Sequence, residues 1–184
     1  MFTGIKESDL DLEQYTHIGD GSDAQVYLTP DNTVLMYTWA YPKIRYMFKI
    51  GLVVAYHGYY YLRTARIYVV ELVKLEPVQE DMPEYTYILN ASQDLRDIWR
   101  TFRNELYHEA TRRFPIHQQK WDYMSRESTK FIKALNPAEY PLFKDALEFL
   151  QETRANFISL DIHAGNFMLC PVTNTIINLD GIMF

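Results

Sequence analysis

Ser159-Leu160-Asp161-Ile162-His163-Ala164-Gly165-Asn166-Phe167-Met168-Leu169, followed by Ile176-Ile177-Asn178-Leu179-Asp180, is the stretch that decides how this chain is read. Phe157–Leu160 and Thr175–Leu179 are short β-prone runs on either side of it. Between them stand Asp161, Asn166 five residues later, and Asp180 fourteen residues after that. A short loop between strands brings a carboxylate and an amide oxygen to one end of a hairpin, and the returning strand adds a second carboxylate. The plainer alternative is that Asp161 and Asn166 cap a turn, as these residue types often do. His163 reads as a buttress of the loop through a backbone hydrogen bond rather than as a base.

Upstream, the chain changes character twice. In residues 94–114 Leu95, Ile98, Trp99, Phe102, Leu106 and Ala110 recur at helical spacing, with Pro115 beyond the end. Residues 119–135 repeat the pattern more loosely, and residues 142–155 give a third amphipathic helix. The first seventy-odd residues are instead β-rich. Gln25–Leu28 and Val34–Tyr37 flank the turn cluster Thr29-Pro30-Asp31-Asn32-Thr33, which predicts a hairpin. Tyr59–Leu62 and Arg66–Leu72 form a second pair, with a helix expected over Ile44 to Tyr56, interrupted at Gly51. The class is therefore α+β. The order is a β-rich lobe (1–76) and then a helical part ending in the small hairpin (77–184).

Composition narrows the setting. The 184 residues are 48% hydrophobic and 23% charged, which fits a folded domain and excludes collagen, coiled coil and low-complexity disorder. A net charge of −6 argues against a general nucleic-acid binder, which must neutralise phosphates. Cys170 is the single cysteine, so neither an internal disulfide nor a Cys-rich metal site is expected. The start lacks the basic and apolar segments of a signal peptide, and the run Ile50 to Ala55 is too short to span a bilayer. A soluble, cytoplasmic protein with no membrane contact is the expectation.

A second motif lies near the N-terminus: Ile18-Gly19-Asp20-Gly21-Ser22-Asp23-Ala24-Gln25-Val26-Tyr27. It is similar to the glycine-rich loop Gly-x-Gly-x-x-Gly-x-Val, with Ala24 at the third glycine. Together with Asp161, Asn166 and Asp180, this order resembles the protein-kinase-like superfamily. The wording Asp-x-His-x-Gly-Asn is most similar to short serine/threonine protein kinases encoded by podoviruses, and also to small-molecule phosphotransferases. The resemblance implies a minimal kinase-like fold that uses ATP and Mg2+. Gly19, Gly21 and Ser22 would cover the phosphates and Val26 would pack on the adenine. Asp161 would act on the acceptor hydroxyl, while Asn166 and Asp180 would hold the metal. Val73-Lys74-Leu75-Glu76-Pro77 would be the hinge. The implied substrate is a bacterial host protein.

Two departures from that pattern matter. The second strand of the first hairpin should present a lysine to the phosphates, but Met36 stands there, and no Lys or Arg occurs between Glu7 and Pro42. The partner glutamate should come from residues 32–70, and that 39-residue stretch has no acid at all. Losing both halves together is the cheaper outcome, because one buried charge without its partner is costly. A charge-assisted hydrogen bond contributes about 1.5–3 kcal/mol, so the loss would slow transfer roughly 10- to 100-fold. Lys43 or Arg45 is the available replacement. Asp20 and Asp23 are also a poor match to a triphosphate. Finally, Phe184 lies four residues past Asp180, so a reduced C-terminal lobe is expected, completed by the helices at 94–135 or by a partner.

The acid-free stretch also holds five basic residues and eight of the fifteen tyrosines. It reads either as core tyrosines with solvated cations or as a Tyr/Arg-rich contact surface over 37–68 for a host protein. The second option supports an alternative function, a pseudokinase-type module that binds its target without catalysis.

Overall fold

In the computed structural model the described residues are 12–21, 24–54, 59–62, 67–153, 159–160, 162–179 and 182–183. The chain divides into two compact units, Met1–Lys74 and Leu75–Phe184. The change falls two residues before the expected 76/77 boundary.

In the first unit, β1 (Thr16–Gly21) and β2 (Ala24–Leu28) form an antiparallel pair, and β3 (Val34–Thr38) returns along β2. The predicted turn closes that hairpin. Thr29 donates its N–H to Thr33 O at 2.9 Å, and Asn32 takes the left-handed conformation at φ 68°. Helix α1 (Tyr41–Lys49) follows, then β4 (Tyr59–Leu62) and β5 (Ile67–Leu72), giving a five-stranded sheet in the order β1-β2-β3-β5-β4. Every residue of β3 is buried, so both faces of the central strand are covered. Leu35, Tyr37 and Val69 make one core on one face.

Helix α1 begins three residues earlier and ends seven residues sooner than the sequence reading placed it. Pro42 sits in its first turn, where the missing N–H is harmless. Gly51, at φ 72°, ends it. Gly51 N–H donates to Phe48 O at 3.1 Å and Leu52 N–H to Met47 O at 3.0 Å. This is a Schellman closure, and the buried Leu52 and Met47 supply the apolar pair that goes with it.

The second unit opens with β6 (Glu76–Pro77) and the long helix α2 (Pro83–Arg113), which starts eleven residues before the predicted one. Then come α3 (His117–Ala134), α4 (Lys144–Glu152) and the short strand β7 (Ser159–Leu160). The small hairpin is β8 (Phe167–Cys170), a strand that the two β-prone runs named above do not include, with β9 (Thr175–Asn178), turning through Asn174 at φ 51°; β10 (Ile182–Met183) pairs back with β7. β6 adds to β8, so these strands form a three-stranded sheet. The helices bury Ile88, Leu95, Ile132, Leu147 and Leu150 completely. Phe102 stacks on Phe131 at 4.1 Å, joining α2 to α3. Lys133 Nζ donates to Thr153 O at 2.7 Å and Gln151 to Leu135 O at 2.7 Å, which ties the end of α3 to the end of α4. No helix among the described residues is long and apolar enough to cross a membrane.

Candidate functional site

The turn between β7 and β8 is built by its own side chains. Ile162 is buried and anchors the entry, and Ala164–Asn166 form a single 3-10 turn. His163 caps that turn: its Nδ1 accepts the Gly165 N–H at 2.8 Å, and its carbonyl accepts the Asn166 N–H at 3.1 Å. The Nδ1 acceptor role puts the proton of the neutral ring on Nε2. This is the buttressing role expected of His163.

Gly165 is required by close approach. A Cβ on it would lie 2.5 Å from His163 Cε1 and 3.1 Å from Nδ1. Phe167, fully buried, meets Phe143 edge to face at 5.4 Å and so fixes the start of β8 to the helical layer. β9 then returns with Asn178 opposite Phe167. Leu179 N–H donates to Asn166 O at 2.8 Å. The residue immediately before Asp180 is thus bonded to Asn166, although the two are thirteen positions apart. Asp161 and Asp180 themselves lie outside the described residues, as does Ser22. No group of three or more His, Cys, Asp or Glu able to hold a metal occurs among the described residues. The oxygen donors that Asn166 and the two aspartates carry suit magnesium by chemistry.

In the first unit the register gathers several of the residues picked from sequence. Gly19 faces Val26, Val26 faces Met36 and Met36 faces Val70. Directly opposed residues project to the same side of a sheet, so Val26, Met36 and Val70 line one face. Gly19 adjoins a register shift in β1, and a Cβ there would meet nothing within 4 Å. Gly21 pairs with Ala24 across the tip. Met36 is 2% exposed, between a half-buried Val26 and a fully buried Val70. Lys43 lies on the buried side of α1, 6% exposed, whereas Arg45 faces solvent.

The acid-free stretch divides along the same lines. Tyr37 and Tyr46 are core residues, while Trp39, Tyr41 and Phe48 are exposed.

The sequence reading missed a cavity of about 540 Å³ in the second unit, lined by the turn 162–165, by Val78, Gln79 and Glu80, and by Tyr85, Leu89 and Arg96 of α2. Arg96 lies within the helical pattern of 94–114, between the apolar positions Leu95 and Ile98. Its Nη2 donates to Ser92 Oγ at 3.0 Å, one turn back, while its buried Nε has no acceptor among the described residues.

No family model, no curated protein and no solved structure matches the chain.

Proposed function

We propose that the chain is a minimal protein-kinase-like phosphotransferase that moves the γ-phosphoryl group of ATP to serine or threonine hydroxyls of a protein. The observation that carries this reading is the 2.8 Å bond from Leu179 N–H to Asn166 O. It joins the turn after Asp161 to the strand that leads into Asp180, as a shared metal site needs. Asp161 would orient the acceptor hydroxyl and take its proton. The new bond forms between that oxygen and the γ-phosphorus, the bond to the β–γ bridging oxygen breaks, and ADP leaves. Asn166 and Asp180 would hold magnesium, which neutralises charge on the phosphates when bound. Gly19, Gly21 and Ser22 would lie over the phosphates, with Val26 against the adenine. Lys43 or Arg45 would take the place of the missing lysine.

The test is phosphate transfer from γ-labelled ATP to a mixed protein acceptor with magnesium present. Wild type should label the acceptor, and Asp161→Asn should lose at least 100-fold while keeping its helical circular dichroism. Equal labelling by both would refute the assignment.

A second reading, binding without catalysis, is favoured by the burial of Met36 at the lysine position. Its mark would be unchanged partner capture and unchanged biological effect in Asp161→Asn. Trp39, Tyr41 and Phe48 would then supply exposed contact area.

A further inference from the structure

The cavity beside the His163 turn offers more donors than acceptors. Arg96 contributes a guanidinium whose buried Nε has no acceptor among the described residues. His163 contributes Nε2–H, since its Nδ1 is occupied by the Gly165 N–H. Gln79 adds a side-chain amide at the opening. Among the described lining residues Glu80 is the one carboxylate, and it is exposed. Val78, Leu89 and the buried Ile162 supply the apolar part of a mixed lining. A volume of about 540 Å³ falls within the range of small-ligand sites and is ample for one or two side chains. Arg96 lines the cavity with a guanidinium that is bonded through Nη2 to Ser92, and such a group is suited to an oxyanion, which it binds through charge-assisted hydrogen bonds.

We propose that this cavity is an acceptor-selecting subsite that takes a carboxylate or phosphate on the polypeptide substrate, close to the hydroxyl being phosphorylated. This rests on the phosphotransferase reading, and it adds the class of substrate. Ile162, which lines the cavity, directly follows in the chain Asp161, the residue assigned to the hydroxyl. Arg96 supplies the charge and His163 Nε2–H a second donor. Glu80, at the opening, opposes the anion and limits affinity.

The experiment uses three fluorescein-labelled peptides that differ only next to the acceptor serine: glutamate, phosphoserine or glutamine. Binding is read by anisotropy without ATP, on versions with alanine in place of the acceptor serine. Transfer is read separately on the serine versions. Wild type is expected to bind at least one anionic peptide about tenfold more tightly than the glutamine peptide, with the difference in transfer appearing in KM. A glutamate preference identifies acidic side chains as the ligand; preference for phosphoserine alone identifies a previously phosphorylated substrate. Arg96→Gln should erase the preference, Arg96→Lys should keep part of it, and Glu80→Gln should raise anion affinity about twofold. If Arg96→Gln does not fold, Arg96→Lys and Glu80→Gln decide the matter, and no change in either overturns the proposal. Equal binding of all three peptides by wild type, or an intact preference in Arg96→Gln, overturns it too. Anion-selective binding with no transfer to any peptide would leave the subsite standing and remove the phosphotransferase. Transfer without anion preference would do the reverse.

Discussion

Gly165 and His163 form the tightest pair in the candidate site. An alanine at 165 would drive a methyl group into the imidazole, and relief requires the ring to turn out of its bond with the Gly165 N–H. Gly165→Ala should therefore lower stability by about 1 kcal/mol, the usual worth of one hydrogen bond. Transfer should fall by more than tenfold, because the turn that carries Asn166 moves. A thermal melt and a transfer assay on the same sample check both. Tyr37 makes a different statement. Its hydroxyl is buried without a partner among the described residues, and burial, followed by the neighbouring Tyr15 and Tyr27, pushes its pKa above the ordinary tyrosine value. The folded state therefore keeps this phenol neutral while the unfolded chain ionises above about pH 10. The native state loses stability as pH rises past that point. Tyr37→Phe should be neutral to stabilising by up to about 1 kcal/mol at pH 7. The gap between variant and wild type should widen above pH 10, as read by urea titration at several pH values. Lost stability at pH 7 would mean that the hydroxyl has a partner.

At the scale of elements, Met36 and its neighbours decide whether the missing lysine can be restored. β3 is buried along its whole length, and residues 32–70 hold no carboxylate to receive a cation. Met36→Lys should cost about 3 kcal/mol or more, since a buried ammonium without a partner is expensive. It should not raise transfer. A gain of activity at unchanged stability would show that phosphates reach this position. The same elements show what the sequence made legible. The hairpin at 24–38 and the strand at 175–178 are legible because β-prone runs stand beside turn residues there. The first eleven residues of α2 were not, because its buried stripe runs Ile88, Ser92, Leu95, and a buried serine breaks the apolar count. Helix α1 starts ahead of Ile44 because Pro42 is tolerated in the first turn, where no N–H is needed. In the site, Asn166 and the His163 cap follow from residue type and spacing. Arg96 does not, since part of its neighbourhood is the turn 162–165, 66 to 69 positions away in the chain.

Among the described residues, a five-stranded sheet with one α-helix makes the first unit, and three α-helices with two small sheets make the second. The glycine segment belongs to the first and the Asn166 turn to the second. The strongest demand of the phosphotransferase reading is that the folded chain binds magnesium–ATP through the carboxylate that ends the hairpin. Ligand at ten times its dissociation constant stabilises a protein by about 1.4 kcal/mol, or roughly 3–6 °C for a chain of this size. The measurement is a thermal melt of wild type and Asp180→Asn with ATP alone, magnesium alone and both together. The expected result is a rise of that size in wild type that needs both components and is absent in Asp180→Asn. No rise in wild type at millimolar magnesium–ATP, or an equal rise in the variant, would contradict it.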